Sequence, residues 1–214
     1  MYSFKITSFN VEGITSTKCD ILSDIQADIL CLQETHKDSP PPNVHDMHII
    51  IYHGHPKHGS AIYAREKSTI LASQDLSEQG MEILRVETSQ MTITSVYKPP
   101  PTPFSWPQTT DHNNKPNIII GDFNSHNTIW GYNSTNKDGE DVEEWAATND
   151  LTILYSSKDK HTFSSARWKR GYNPDLAFVS SQHYTSFERT VGDPIPKSQH
   201  RPVTISTKPV VKAL

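Results

Sequence analysis

The sequence predicts an α/β sandwich of two sheets, and three observations lead to this fold class. The 214 residues are enough for one domain whose core has two or more packed layers. The apolar residues are concentrated in short, β-branched runs that are interrupted every ten to twenty residues, which favours strands over long helices. About twelve such runs are present, and this number indicates two sheets rather than one.

The expected elements follow from these runs and from two amphipathic segments. Strands are predicted over residues 4–10, 29–33, 47–52, 60–64, 69–73, 82–88, 92–97, 117–121, 152–155, 174–179, 185–190 and 203–207. Residues 18–26 and 140–149 carry apolar side chains on one face, as helices that lie over a sheet do. The proline-rich stretch 98–116 predicts an extended or turn-rich surface segment.

Composition excludes several classes of protein. Mean hydropathy is -0.60, and no run approaches the ~18 apolar residues that a membrane span requires. Residues 1–5 do not begin a signal peptide, so we expect an intracellular protein without membrane association. Cys19 and Cys31 are too few for a disulfide framework, and we expect both to be reduced.

The charge of the chain is unevenly distributed. A net charge of -4 does not by itself indicate a nucleic-acid-binding protein. Positions 158–170, however, contain one acidic residue and five basic residues, which are Lys158, Lys160, Arg167, Lys169 and Arg170. With aromatic side chains interleaved, such a patch is typical of a surface that tracks a phosphate backbone, although a solvated loop is the alternative.

Polar side chains recur where the predicted strands end. They are Asn10, Glu34, Tyr97, Asp122, Asn124, Asp175 and His200. Each residue alone has an ordinary explanation in a turn or at a solvated strand end. The segment Gly121-Asp122-Phe123-Asn124 is more specific, because glycine permits a tight exit and the Asp-x-Asn pair presents a carboxylate and an amide on one side. Polar groups collected at strand ends predict an active site.

Six motifs place these residues in a recognisable order. They are Ser8-Phe9-Asn10-Val11, Leu32-Gln33-Glu34-Thr35-His36, Ser95-Val96-Tyr97-Lys98-Pro99-Pro100, Gly121-Asp122-Phe123-Asn124-Ser125-His126, Pro174-Asp175-Leu176-Ala177-Phe178-Val179-Ser180 and Ser198-Gln199-His200-Arg201-Pro202-Val203. In this order they resemble the exonuclease–endonuclease–phosphatase superfamily, which has the DNase I-like fold. The fourth motif, followed by Trp130-Gly131, is most similar to the apurinic-type endonuclease domain of LINE-type non-LTR retrotransposons.

The resemblance implies a fold, an activity and a cellular setting. The fold is a four-layer α/β/β/α sandwich of two mainly antiparallel sheets flanked by helices, over one domain at 1–214. The implied activity is Mg²⁺-dependent nicking of double-stranded DNA, with Mn²⁺ as a substitute metal, for target-primed reverse transcription in the nucleus. The chain is then expected to be the N-terminal part of a polyprotein that also contains a reverse transcriptase.

The same resemblance implies roles for the strand-end residues. Glu34 is the principal metal ligand and Asn10 supports it. Asp122 orients or deprotonates the attacking water, and Asn124 and Tyr97 hold the scissile phosphate. His200 contacts a phosphoryl oxygen, while Asp175 fixes the orientation of the imidazole and favours its charged form.

One motif departs from the family pattern. The last motif of the family is usually Ser-Asp-His, whereas this chain has Ser198-Gln199-His200. Gln199 offers a carbonyl oxygen without negative charge, so we expect a weak metal ligand; either Glu34 and Asp122 suffice for activity or the activity is reduced.

DNA contacts are expected beside the fourth and fifth motifs, and two alternative functions stay open. The expected contacts are Asn127, Thr162, Ser164, Arg167, Lys169 and Arg170, with 165–173 forming a loop or hairpin that enters the minor groove. The alternatives are another DNase I-like phosphoesterase, such as an apurinic-site repair endonuclease, and a catalytically impaired DNA-binding or targeting module. The target sequence and the oligomeric state are not encoded in a readable way.

Overall fold

The structure is a computed structural model that describes residues 3–66, 68–107 and 114–208. The strands are β1 (Lys5–Asn10), β2 (Ile29–Gln33), β3 (Met47–His53), β4 (Ser60–Arg65), β5 (Ile70–Asp75), β6 (Glu82–Thr88), β7 (Thr92–Tyr97), β8 (Asn117–Asp122), β9 (Leu151–Ile153), β10 (Phe163–Ser165), β11 (Arg170–Tyr172), β12 (Asp175–Ser180), β13 (Phe187–Val191) and β14 (Val203–Thr207). The helices are α1 (Ser16–Ser23) and α2 (Lys137–Thr148), and short 3-10 helices cover Thr128–Trp130 and Ser181–Ser186.

All twelve expected strands are present, with ends shifted by a few residues. The strand expected at 185–190 begins at Phe187, because the preceding residues belong to a 3-10 helix. β10 and β11 are additional strands of three residues each, and they form the hairpin that was expected within 165–173 as one of two options. The proline-rich segment has no helix or strand over 98–107 and 114–116, and its middle at 108–113 lies outside the described residues.

Both expected helices are present but begin earlier than the apolar pattern suggested. The side chain of Thr15 caps α1 by accepting a hydrogen bond from the backbone N of Lys18. The side chain of Asn136 caps α2 by accepting from the backbone N of Gly139 at 2.9 Å. Capping by a polar side chain lies outside the apolar periodicity, which explains the early starts.

Two six-stranded sheets form the framework. The first has the order β13-β14-β1-β2-β4-β3, and the second has the order β5-β6-β7-β8-β12-β9. β1 runs parallel to β2, and β7 runs parallel to β8. The remaining pairings between described strands are antiparallel, so the expectation of two mainly antiparallel sheets is confirmed.

The core explains why the molecule has four layers. The inner faces of the two sheets pack together through buried side chains that include Ile6, Ile29, Ile62, Leu84, Ile93, Ile118 and Val179. On the outer face of the first sheet, Leu22 of α1 packs with Leu30 and Leu32. On the outer face of the second sheet, Val142 and Trp145 of α2 pack with Phe178. Burying each such apolar side chain contributes about 1.5–3 kcal/mol, so both helices are held mainly by this packing.

The parallel pairs bring the predicted strand ends to one edge of the sandwich. Asn10 lies opposite Gln33 at the end of the first pair, and Tyr97 lies opposite Asp122 at the end of the second pair. Gly121 allows this close pairing, because a Cβ atom there would stand 1.9 Å from the carbonyl oxygen of Val96. The carboxyl ends of four strands therefore meet where the two sheets face each other.

Two expectations from composition can be compared with the structure. Cys19 and Cys31 are buried and unpaired, as expected for reduced cysteines. Burial raises the pKa of the Cys31 thiol to about 12, which keeps it protonated and unreactive. None of the helices in the described ranges is long and apolar enough to cross a membrane.

Candidate active site

The carboxylate of Glu34 is the centre of one half of the site. Its Oε1 accepts hydrogen bonds from Asn10 Nδ2 at 2.8 Å and from the Tyr97 hydroxyl at 2.9 Å. Its Oε2 lies 3.4 Å from Nε2 of His36. Glu34 is half-buried, whereas Asn10 and Tyr97 are buried. The carboxylate is therefore held by buried groups on one side and is accessible to solvent on the other.

Asp122, Asp175 and His200 form the other half of the site. Nδ1 of His200 lies 3.1 and 2.9 Å from the two carboxylate oxygens of Asp175, which fixes the imidazole ring. Nε2 of His200 points to Asp122, at 3.9 Å from Oδ2. Asn10 joins the halves, because its Nδ2 also donates to Asp122 Oδ2 at 2.9 Å.

Burial and neighbouring charges shift the pKa values of these groups away from their ordinary values. Burial raises the pKa of the Asp122 carboxyl to about 7, and the charge of Asp175 adds to the rise. Burial opposes the charged form of His200, but the charge of Asp175 and its hydrogen bond outweigh burial and raise the imidazole pKa to about 9. At neutral pH the site therefore combines a carboxyl group that can exchange a proton with a cationic imidazole.

Burial also keeps the Tyr97 hydroxyl neutral. Burial raises the pKa of this phenol, and the neighbouring Glu34 carboxylate raises it further. The hydroxyl therefore remains a hydrogen-bond donor over the whole pH range in which a protein is folded. Its present acceptor is Glu34, and His58 Nδ1 lies 3.4 Å away on the other side.

The loops that leave the strands have unusual backbone angles at the site. Glu12, Glu34 and Asn124 have φ values of 44°, 51° and 43°, in the left-handed region that non-glycine residues rarely adopt. Each such residue costs of order 1–3 kcal/mol and persists where surrounding contacts hold it. Strain of this kind is concentrated at functional sites.

Asn124 is positioned by a buried lysine. Asn124 Nδ2 donates to the carbonyl oxygen of Lys98 at 3.0 Å, and the backbone N of Asn124 donates to Asp122 Oδ1 at 3.1 Å. Lys98 is fully buried, and its Nζ forms an ion pair with Asp138 of α2 at 2.9 Å. The buried pair anchors the loop after β7 to α2 and so fixes the place of Asn124.

An aromatic cleft opens beside His200. It has a volume of about 470 Å³ and is lined by Asn124, His126, Tyr132, Phe163, Ser165, Arg167, Trp168, Tyr172, Pro174, Gln199 and His200. On one wall the rings of His126, Tyr132 and Tyr172 are stacked in a row, with centroids 4.2 and 5.6 Å apart. Tyr172 lies on β11 of the hairpin, and Phe163 lies opposite it on β10, with its ring 4.8 Å from that of His200.

The tip of the hairpin is exposed and basic. Trp168 is 62% exposed, and the guanidinium of Arg167 lies 4.7 Å from the centroid of its indole ring. Arg167, Lys169 and Arg170 are exposed, as is Ser164 on β10. The structure therefore places four of the expected DNA-contact residues beside the cleft, where they remain candidates for that role.

The structure does not support the expected substrate contacts of Asn127 and Thr162. Asn127 is 1% exposed, and its amide caps the 3-10 helix at Ile129 and donates to Gly139 and Glu143. Thr162 is fully buried, and its hydroxyl accepts from the backbone N of Asp175 at 3.3 Å. Both side chains are occupied inside the protein, so Asn127 has a structural role and Thr162 positions Asp175.

The structure also does not support a metal contact by Gln199. The carbonyl oxygen of its side chain, the atom that was expected to bind metal weakly, accepts from the backbone N of Ala166 at 2.8 Å. Its Nε2 donates to Glu12 Oε1 at 3.2 Å, and its backbone N donates to Glu12 Oε2 at 2.9 Å. Gln199 thus connects two loops, while Glu34 lies on the other side of Asn10.

Several residues of the site were not singled out from the sequence. Glu12 bonds Gln199, His36 and His58 stand beside Glu34 and Tyr97, and Tyr132 forms part of the cleft wall. Glu12 and His36 lie two residues from Asn10 and Glu34, so proximity to a motif was the available signal. His58 and Tyr132 are brought to the site by tertiary packing, for which the sequence offers no local signal.

The donor set fits a hard divalent cation. One ligand atom each from Asp122, Asp175 and His200 lies within 4.8 Å of the others, and all three residues are buried. The carboxylate of Glu34 is linked to this group through Asn10, so three carboxylates share one network. Burial is the main cause of the raised pKa of Asp122 and the negative charge of Asp175 adds to it, and a cation that prefers carboxylate and amide oxygens would offset that charge.

Solved structures of known proteins share this fold. The endonuclease domain of TRAS1, a telomere-specific non-LTR retrotransposon, has 16% identity and a TM-score of 0.69 over 97% of this chain and 99% of that chain. The catalytic domain of APE2 from Xenopus laevis has 17% identity and a TM-score of 0.68 over 98% and 94%. The AP endonuclease LMAP from Leishmania major has 12% identity and a TM-score of 0.69 over 96% and 88%.

The fold is therefore that of a DNase I-like nuclease. A search of curated proteins found no match. A model of the endonuclease-reverse transcriptase family matches residues 91–204, which is more than half of the sequence, and the chain belongs to this family.

Proposed function

We propose that the chain is a Mg²⁺-dependent endonuclease that nicks double-stranded DNA. The observation that carries the proposal is the continuous hydrogen-bonded row of Glu34, Asn10 and Asp122, facing the Asp175–His200 dyad at the mouth of a cleft. Hydrolysis of a phosphodiester requires an activated water and positive charge around the phosphorus, and this row offers groups for both.

Asp122 is the group that we assign to the water. The water oxygen forms a bond to phosphorus, its proton passes to the Asp122 carboxylate, and the bond from phosphorus to the 3′ oxygen breaks. The 3′ oxygen then takes up a proton from solvent. A base with a pKa near the operating pH suits this transfer, and burial gives Asp122 a pKa of about 7.

His200, Asn124 and Tyr97 are the groups that we assign to the phosphate. The ring of His200 is held by Asp175 through Nδ1, so Nε2 is directed at the position beside Asp122. The amide of Asn124 and the neutral hydroxyl of Tyr97 are hydrogen-bond donors on the neighbouring strand exits. Charge-assisted and neutral donors that are fixed before the reaction need no reorganisation when charge develops.

Mg²⁺ would be held by Glu34 with support from Asn10, and when bound it supplies positive charge for the phosphate oxygens. The carboxylate of Glu34 is fixed by two donors at Oε1. Oε2 of Glu34 lies near His36, on the side of the site that is partly exposed to solvent. Mn²⁺ prefers similar oxygen ligands and should substitute.

The DNA and the cellular role follow from the hairpin and the family. Arg167, Lys169 and Arg170 would contact phosphates, with Trp168 entering the minor groove between them. The family name joins an endonuclease to a reverse transcriptase, which supports our proposal that the nicked 3′-hydroxyl primes reverse transcription. In this proposal the chain acts in the nucleus, as a single domain at the N-terminal end of a larger polyprotein.

The proposal is tested by nicking of supercoiled plasmid with and without Mg²⁺. We expect open circles with Mg²⁺ and a loss of about 10³-fold in rate for Glu34→Gln, because the amide cannot balance a cation. Glu188→Gln is the matched control, since this glutamate is exposed on β13. Equal rates for the two variants would contradict the proposal, and DNA binding without nicking would favour an impaired targeting module instead.

A second candidate is incision next to an abasic site. The aromatic cleft of about 470 Å³ beside His200 favours it, because such a cleft would accept an unstacked sugar that carries no base. A depurinated plasmid separates the candidates. A nicking rate at least about 100-fold higher on depurinated than on intact plasmid would favour incision at abasic sites. Similar rates on the two plasmids would favour general nicking.

A further inference from the structure

Gln199 lies where three parts of the cleft meet. Its backbone carbonyl accepts from Ser164 N of β10 at 2.8 Å, and the next residue, His200, is bridged to Phe163. These backbone contacts fasten the base of the hairpin. The side chain reaches further, because its Oε1 accepts from Ala166 N at the beginning of the exposed tip.

The opposite end of the same side chain is fixed to the loop that follows β1. Both carboxylate oxygens of Glu12 accept from Gln199, one from the backbone N and one from Nε2. Glu12 is itself held, because its backbone N donates to Asn10 Oδ1 at 3.1 Å. The buried Lys18 ammonium also connects the two loops, with hydrogen bonds to the carbonyl oxygens of Glu12 and Lys197 at 3.1 and 2.9 Å.

The amide of Gln199 makes both contacts because its oxygen accepts from one loop while its nitrogen donates to the other. The hairpin offers a backbone N–H, which needs an acceptor, and Glu12 offers a carboxylate, which needs a donor. Aspartate at this position would be one methylene shorter and would place a second negative charge against Glu12. Glutamate would keep the acceptor for Ala166 but would lose the donor for Glu12.

We propose that Gln199 is a positioning residue that clamps the β10–β11 hairpin to the loop after β1, and thereby sets the place of the aromatic and basic wall of the cleft relative to His200. The clamp consists of Glu12, Gln199 and Ala166. In the context of the proposed function, it determines how the hairpin meets DNA. The amide of Gln199 thus has a positioning role in the cleft, and it does not mark the loss of a metal ligand.

Trypsin tests the clamp without any substrate, because Arg167, Lys169 and Arg170 are exposed cleavage sites on the hairpin itself. Cleavage follows the population of the open hairpin when opening is fast. We expect Gln199→Ala and Gln199→Glu to be cleaved there about tenfold faster than the unaltered chain. The emission of Trp168 should shift in the same variants. Gln182→Glu is the matched control, because this glutamine is exposed beyond the far end of β12.

The exchange variant Glu12→Gln with Gln199→Glu sharpens the test. It restores an amide facing a carboxylate in reverse order, so its cleavage rate should return to within about threefold of the unaltered chain. Unchanged cleavage in Gln199→Ala, or a double variant cleaved as fast as the faster single variant, would overturn the clamp. These results do not require nicking, so they separate the clamp from the proposed function.

Nicking kinetics supply the second measurement. Loosening the hairpin should raise KM for plasmid about tenfold in Gln199→Ala, with a smaller change in kcat, because the catalytic row is left in place. Gln199→Asp should behave like Gln199→Ala. A several-fold rise of kcat in Gln199→Asp with unchanged trypsin cleavage would instead identify position 199 as a missing metal ligand and overturn the proposal.

Discussion

The row of Glu34, Asn10 and Asp122, with the Asp175–His200 dyad, lies next to the cleft that the β10–β11 hairpin lines, but the two regions are built in opposite ways. In the row and the dyad, Asn10, Asp122 and Asp175 are at most 3% exposed; Asn10 bonds Asp122, and Asp175 bonds His200. In the hairpin, Trp168 is 62% exposed and the basic side chains extend into solvent. The row has fixed geometry and shifted pKa values, whereas the hairpin has charge and aromatic surface.

For the proposed function, this difference predicts that the row serves turnover and the hairpin serves the capture of DNA. Groups that must meet a transition state benefit from being fixed before the reaction, and burial with mutual hydrogen bonds fixes them. Groups that neutralise phosphates act over a longer range and tolerate exposure. Variants of the two regions should therefore differ in which kinetic constant they change, and in how strongly.

The largest effect is expected for Asp122→Asn. An amide cannot accept the proton of the attacking water, so kcat should fall by about 10²–10⁴-fold, with little change in affinity for DNA. Single-turnover nicking and a filter-binding titration measure the two quantities separately. Asp20→Asn, an exposed substitution on α1, is the control. If DNA affinity fell as much as kcat, the division between row and hairpin would be refuted.

A smaller but diagnostic effect is expected for Asp175→Asn. The imidazolium of His200 persists up to its pKa of about 9, so the rate of the unaltered chain should decline as pH rises through about 9. Without the charge of Asp175, burial dominates and the pKa of His200 falls, which moves the decline to lower pH. The pH profile of kcat/KM between pH 6 and 10 measures this shift. An alkaline limb at the same pH in both proteins would show that His200 does not set it.

The smallest effect on the rate is expected in the hairpin. Each of Arg167→Ala, Lys169→Ala and Arg170→Ala should lower the slope of log affinity against log salt by about 0.9 if its side chain neutralises one phosphate. The rate at saturating DNA should remain within about twofold of the unaltered chain. Lys5→Ala, at the start of β1 and away from the cleft, should leave the slope unchanged. A hairpin variant that loses kcat but not the salt slope would contradict the comparison.

The elements that form the row could be predicted because their signals are local. Apolar β-branched runs defined β1, β2, β7 and β8, and a polar residue at each end gave Asn10, Glu34, Tyr97 and Asp122. In parallel pairs the carboxyl ends share an edge, so correct strands led to a correct grouping of side chains. The order of motifs then supplied the family.

The contacts of the hairpin could not be predicted, because they depend on distant residues. β10 and β11 have three residues each and, unlike the equally short β9, contain no apolar run, so the pattern that revealed the other strands is missing there. The partner of Gln199 is Glu12, which lies 187 positions away in the sequence. Nothing local to Thr162 indicated that burial under Asp175 would remove it from the surface. Composition identified a basic and aromatic patch, but packing decided which of its members face the cleft.

The pairing of β14 with β1 also has a consequence for the order in which the molecule matures. Lys5 lies opposite Ser206, so this pairing closes a loop that spans nearly the whole chain, and such non-local contacts form late. His200 precedes β14 by three residues and reaches Asp122 when that strand has docked. While residue 207 is still inside the ribosome, the emerging chain already contains the carboxylates of the site. The imidazole of His200 is not yet in place beside Asp122. The proposed active site is therefore complete only after β14 has been synthesised and has paired with β1.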